Sequence, residues 1–114
     1  MSTRYYITIP DGERARGEDA ELSFRSSGPE GLAAELQDAL TGDSLFAKWR
    51  AKQPDPDEVD MSLAAVDPSA TVVGAQDSLE VDLIVHTSIP GSVLKHRLRM
   101  LAGGNWQLRD VTAG

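Results

Sequence analysis

Not one of the 114 residues is a cysteine. That absence removes disulfides, thiolate metal sites and cysteine nucleophiles, and with them any redox argument for an oxidising compartment. Aromatic residues are almost as scarce, with two each of Trp, Tyr and Phe, so the core has to come from Leu, Val, Ile and Ala rather than from stacked rings. No apolar run approaches the ~20 residues of a membrane span. The early stretch Tyr5-Tyr6-Ile7-Thr8-Ile9 does not have the pattern of a cleaved secretory signal, and a cytoplasmic location is the default expectation. Neither a G-x-S-x-G nucleophile motif nor a glycine-rich phosphate loop occurs. His86 and His96 are the only imidazoles and have no ligand-like spacing, so neither a metal nor a cofactor is expected. The acidic cluster Asp55, Asp57, Glu58 and Asp60 is interrupted by Pro56 and reads as a solvated linker rather than a calcium loop.

A chain of this length fits one domain, residues 1–114, that buries roughly 65% of its unfolded surface. Net charge is −7 and unevenly distributed: residues 1–43 carry −5, residues 44–77 carry −3 and residues 78–114 carry +1. Such an acidic body repels phosphate backbones, which argues against nucleic acid as a partner, and it attracts basic protein surfaces.

The first strand is expected at Arg4 to Ile9, ended by Pro10-Asp11-Gly12. Glu13 to Asp19 reads as a charged loop. Leu22 and Phe24 alternate with Glu21, Ser23 and Arg25, which suggests the second strand of an N-terminal β-hairpin. Ser27 and Glu30 have capping-box spacing and Pro29 sits early. Leu32, Leu36 and Leu40 follow at helical intervals, and Gly42 supplies a stop. A second, shorter helix carries Leu45, Phe46 and Trp49 on one face and ends at Pro54. Beyond the linker Gln53 to Glu58, alternation suggests strands at Val59–Ala65, Ala70–Gly74, Leu79–His86 and Leu94–Met100. After Gly103-Gly104-Asn105, Trp106–Val111 forms the last strand. In this reading, Asp82 lies opposite Arg97 and Glu80 opposite Arg99 in an antiparallel ribbon. The class is therefore α+β: an N-terminal β-hairpin, two helices, then an antiparallel meander of four to five strands packed on the helices.

The closing segment Leu98-Arg99-Met100-Leu101-Ala102-Gly103-Gly104-Asn105-Trp106-Gln107-Leu108-Arg109-Asp110-Val111 resembles the last hairpin of cystatin-like cone folds of the nuclear-transport-factor and ketosteroid-isomerase superfamily. The likeness covers about one eighth of the chain and implies a curved sheet around an apolar cavity. The leading hairpin and short helices here depart from that pattern, and no catalytic residue carries over.

Two groups of residues form the candidate partner-binding site. Phe46, Lys48, Trp49 and Lys52 combine aromatics with cations, the mixture found where a helix grips a partner, although core packing and dipole compensation account for the same residues. Lys95, Arg97 and Arg99 form a basic row, for which cross-strand pairing with Asp82 and Glu80 is the competing account. The favoured function is a small, acidic, non-enzymatic protein, such as an adaptor, an inhibitor or an immunity-type protein, that binds a protein partner. The alternative is a small-ligand or catalytic pocket of the cone type, lined by Leu36, Leu40, Phe46, Trp49 and Leu83. A third reading has Trp49 and the basic row bind single-stranded nucleic acid. Ile84 and Leu101, with Trp106 beside them, are placed on the solvent face of the sheet, where a homodimer is the simplest cover.

Overall fold

The computed structural model describes residues 2–113. Strand β1 (Thr3–Ile9) leads through a long loop to helix α1 (Pro29–Thr41) and the shorter α2 (Ser44–Ala51). Strands β2 (Thr71–Asp77) and β3 (Glu80–Thr87) form a hairpin, followed by helix α3 (Gly91–Ala102) and strand β4 (Gln107–Ala113). The strands form one antiparallel sheet in the order β2-β3-β1-β4. Each helical connection skips a strand: β1 to β2 passes β3, and β3 to β4 passes β1. This is the split β-α-β, or ferredoxin-like, connectivity. The class is α+β, with a four-stranded antiparallel sheet packed against helices.

Alternation along the strands decides which face is covered. Tyr5, Ile7 and Ile9 of β1 and Val81, Leu83 and Val85 of β3 all point to one side, where they meet Leu32, Leu36 and Leu40 of α1 and Val93, Leu94, Leu98 and Leu101 of α3 in one core cluster. Residues of opposite parity face away. The smallest dimension is 19 Å, the thickness of a sheet and one layer of helices, so the second sheet face has no covering layer.

Arg97 is the largest side chain in the core and is fully buried. It has no carboxylate partner among the described residues. Its Nη1 donates to the Ala39 carbonyl at 2.8 Å, and its Nη2 donates to the carbonyls of Leu63 at 2.8 Å and Ala65 at 2.6 Å. One guanidinium thus ties α3 to the end of α1 and to the single-turn 3₁₀ helix Met61–Ala64 and its C-cap Ala65, satisfying three main-chain acceptors. A second polar tie is Asp67, also buried. It accepts from the Ser88 backbone N–H, from the Ser69 backbone and hydroxyl groups, and from the Thr87 hydroxyl. These donors, the Ser88 N–H first, hold its carboxyl well below the usual carboxylate range despite burial.

The structure corrects four sequence expectations. Leu94–Met100 is not a strand but the body of α3. Leu94, Leu98 and Leu101 recur at i, i+4 and i+7 as readily as Leu94, His96 and Leu98 alternate, and Lys, Arg, Leu and Met favour a helix. Consequently Asp82 lies opposite Ala75 and Thr8, not Arg97, and Glu80 pairs with Asp77. The segment 20–25 follows the expected reversal at Pro10-Asp11-Gly12, but it pairs with no strand. Leu22, Ser23 and Phe24 are all buried in succession, and the Phe24 N–H donates to Leu101 at the end of α3. Val59–Ala65 likewise is not a strand: it holds the 3₁₀ helix Met61–Ala64, capped by Asp60, just after another at Pro56–Glu58. Last, the capping box expected from Ser27 and Glu30 does not form: the N-cap of α1 is Gly28, which has no side chain to offer, and Glu35 accepts from the Arg25 and Ser26 backbone N–H groups ahead of the helix.

Strand β1 is central and paired on both sides, so it offers no free edge for strand addition. The exposed edge β2 is partly blunted, because Gln37 of α1 accepts from the Val72 N–H.

Arg97→Met keeps much of the buried volume but strips three carbonyls of their donor. It should lower stability by about 3 kcal/mol, read as a fall in the urea midpoint; an unchanged midpoint would mean that water replaces the guanidinium without cost. Asp67 gives a pH signature of definite sign. The unfolded chain takes up this proton at a higher pH than the folded one, so the contribution is complete above about pH 4 and is lost as pH falls below it. Asp67→Asn should therefore flatten the acid limb of thermal stability between pH 4 and 2 while lowering stability at pH 7.

Candidate functional site

Lys95 and Arg99 are one turn apart on α3, and Arg97 lies on the opposite side of the helix. With Arg97 fixed in the core, His96 and Arg99 are carried to the outer side of the helix layer. There the C-terminal half of α3 forms one wall of an open cleft of about 970 Å³. Trp49, Lys52 and Gln53, at and just beyond the end of α2, form a second wall, and the loop Arg16–Asp19 with Leu22 forms a third. Trp106 closes the fourth side, ahead of β4.

The aromatic wall is built from the helix register. Phe46 is buried, and Trp49 sits one turn on with ring centroids 5.7 Å apart. Trp49 meets the His96 ring edge-on, at 4.6 Å and 84°, the T-shaped geometry that ring quadrupoles favour. Trp106 is held separately: its Nε1–H donates to the Gly103 carbonyl at 2.9 Å. Gly103 adopts φ +63°, a left-handed conformation that suits glycine after a helix end. The loop wall also depends on a glycine, since a Cβ at Gly17 would stand 2.1 Å from the Met100 carbonyl oxygen. This close approach seats the loop against the end of α3. Arg16 Nη1 donates to the Gly12, Ala15 and Ser26 carbonyls, which pins the loop from within.

The charges of the cleft are of two kinds. Lys52 Nζ lies 2.8 Å from Asp19 and 3.3 Å from Glu21; the Asp19 contact is the main reason that the Lys52 pKa rises and that the Asp19 carboxyl falls below its usual value. Arg99 is exposed and has no ion-pair partner among the described residues. His96 is half-buried, and its Nδ1 is sealed from solvent without a hydrogen-bond partner. Burial, reinforced by the nearby Arg97 and Arg99 charges, lowers its pKa. The ring is therefore neutral at pH 7, with its proton favoured on Nε2 because Nδ1 has no acceptor.

No family model, curated protein or solved structure matches the chain. The residues themselves must therefore carry the functional reading. Of the seven residues expected to bind a partner, the structure brings Trp49, Lys52 and Arg99 together in the cleft. Phe46 supports Trp49 from the core side, while Lys48 and Lys95 do not line the cleft and Arg97 is structural. The cleft is not the pocket expected between helices and sheet: of that lining only Trp49 faces the cleft, while Leu36, Leu40 and Leu83 are fully buried in the core cluster. The segment Leu98–Val111 that resembles a closing hairpin comprises the end of α3, a glycine turn and β4. No group of three His, Asp or Glu side chains among the described residues converges as metal ligands would. Sequence reasoning missed Arg16, Asp19, His96 and Trp106 as parts of this cleft. Only Gly17, placed among charged residues in the loop, hinted at a close backbone approach.

His96 should leave a pH signature. Because burial lowers its folded-state pKa, the unfolded chain binds the proton first, and stability falls as pH drops below about 6.5. Melting temperatures of the parent and of His96→Gln, followed from pH 8 to pH 5, should show a smaller loss for the variant. Parallel curves would contradict the assignment.

Proposed function

We propose that the protein is a binding module that docks a protein partner in the cleft between α2, α3 and the 16–22 loop. One observation carries this reading: Trp49, fixed edge-on against His96, shares a concave surface with Trp106 and with the unpaired Arg99. Trp and Arg in a concave, partly desolvated site are the residue types that contribute most of the energy in protein interfaces. The ring surfaces suit an apolar or aromatic anchor from the partner, and Arg99 suits a carboxylate beside it. Lys52 contributes less to a partner because Asp19 and Glu21 already neutralise it. The net charge of −7 draws a partner whose wider surface is basic, so long-range attraction and local docking rest on different groups. No helix among the described residues is long and apolar enough to cross a membrane, and nothing in the reading requires one.

A photo-crosslinking amino acid at Glu18, an exposed position on the cleft rim, tests this in the native host. The expected result is a discrete protein adduct that is lost in Trp49→Ala and reduced at least tenfold in Arg99→Glu, with both variants folded by circular dichroism. The absence of any protein adduct, or an adduct indifferent to both substitutions, would overturn the proposal.

A further inference from the structure

The shape of the cleft limits what can enter it. A groove open at both ends admits a chain that passes through, whereas a cleft walled by α3, the end of α2, the 16–22 loop and Trp106 admits a side chain or the end of a chain. Its volume of about 970 Å³ is near the top of the roughly 300–1,000 Å³ that holds a drug-sized ligand, so it has room for more than one side chain.

The groups free to bind inside it are donors, and they stand next to the aromatic wall. His96 and Arg99 are three residues apart on α3 and share one face of it. The sealed nitrogen of His96 is Nδ1, which leaves Nε2, the protonated one, open to the cleft that the ring lines. Arg99 is exposed and has no ion-pair partner among the described residues. One carboxylate can therefore place an oxygen on each donor, with the guanidinium as the charged partner. Trp49 meets the His96 ring at 4.6 Å, so the apolar wall begins within about one helical turn, ~5 Å, of the place for the acid. A carboxylate and a side chain borne on the same Cα span that distance. Only the last residue of a chain has this arrangement; an internal Asp or Glu would have to lead two arms of chain back out of the cleft.

We infer that the cleft receives the C-terminal residue of its partner, with an apolar or aromatic last side chain against Trp49 and Trp106 and the α-carboxylate on Arg99 and His96. This rests on the reading of the cleft as a protein-docking site and adds which part of the partner enters. C-terminal carboxylate capture recurs among the modes of peptide recognition. The other charges leave Arg99 to this role: Lys52 is held by Asp19 and Glu21, and Arg16 by backbone carbonyls. The negative end of α3 opposes an anion, but it is blunted, because the Leu101 and Ala102 carbonyls already accept from Phe24, Ser23 and Asn105. Glu18 on the rim and the net charge of −7 favour Lys or Arg just ahead of the terminus. The fitting tail is thus basic, ending in Phe, Leu or a similar residue with its carboxylate free.

Trp49 and Trp106 are the only tryptophans and both line the cleft, so intrinsic fluorescence reads its occupancy. The probes are synthetic octapeptides with Lys and Arg upstream and Phe, Leu, Ser or Asp last, each as free acid and as amide. Free acids ending in Phe or Leu should saturate the signal below about 1 mM. Their amides, and free acids ending in Ser or Asp, should bind at least tenfold more weakly. Arg99→Gln, checked for folding by circular dichroism, should abolish the difference between acid and amide. Equal binding of acid and amide, a difference that survives Arg99→Gln, or no saturation by any free acid would each overturn the inference. N-acetylphenylalanine, which carries the same acid and anchor, should bind at least tenfold more weakly than the peptides; equal binding would assign the cleft to a small acid and overturn it too. The Glu18 adduct judges docking separately: a Trp49-dependent adduct alongside equal acid and amide binding would sink the chain-end inference and leave protein docking standing.

Discussion

One buried guanidinium sets the rotational phase of α3, and the rest of the helix layer depends on that phase. Arg97 donates to carbonyls from α1 and from the 3₁₀ turn that precedes β2, so it joins three segments that apolar contact alone would leave free to slide. Dispersion and burial are weakly directional, whereas three hydrogen bonds from one rigid fork fix both angle and depth. Desolvating a charge is costly, and burial accordingly lowers the Arg97 pKa. The group nevertheless stays protonated, because all its partners are acceptors. Each residue along a helix turns by about 100°. Holding Arg97 inward therefore carries His96 to Trp49 and sends Arg99 to the solvent side. A rotation by one residue would dissolve the cleft while leaving the helix intact.

Charge in the cleft follows a similar logic of partial neutralisation. Lys52 is offset by two carboxylates, and Arg16 is used up on backbone carbonyls, which leaves Arg99 as the cation available to an incoming group. His96 adds no charge at neutral pH, but its ring stiffens Trp49. An aromatic held at a fixed angle before binding gives up little side-chain entropy when a partner arrives, which favours affinity without additional contact area.

Much of this architecture was legible in the residues. β1 announced itself by Tyr5-Tyr6-Ile7-Thr8-Ile9 and its turn, α1 by three leucines four apart, and β3 by its strict alternation. Helix α3 was not legible by period, since Leu94, His96, Leu98 and Met100 satisfy a strand while Leu94, Leu98 and Leu101 satisfy a helix. Neither pattern records that β3 pairs with β1 and β2, and this long-range pairing leaves no vacancy beside β3 for a further strand. The misreading reached the site directly: as a strand, Lys95, Arg97 and Arg99 share a face, but as a helix they separate into two surface residues and one core residue. The 16–22 loop was opaque for another reason. Its position rests on Gly17 approaching Met100 and on Asp19 meeting Lys52, contacts between segments distant in sequence that leave no periodic trace.

The cleft and the bare sheet face lie on opposite sides of a two-layer molecule, so the groups that shape one do not shape the other. The walls of the cleft come from the end of α2, the C-terminal half of α3, the 16–22 loop and Trp106, whereas Tyr6, Ile84 and Val73 stand in one row on the side of the sheet away from the helices. No residue of that row lines the cleft. A substitution on the bare face therefore reaches the cleft only through the strands and the core beneath them, while a change in the phase of α3 reaches it at once, because His96 and Arg99 are carried by that helix.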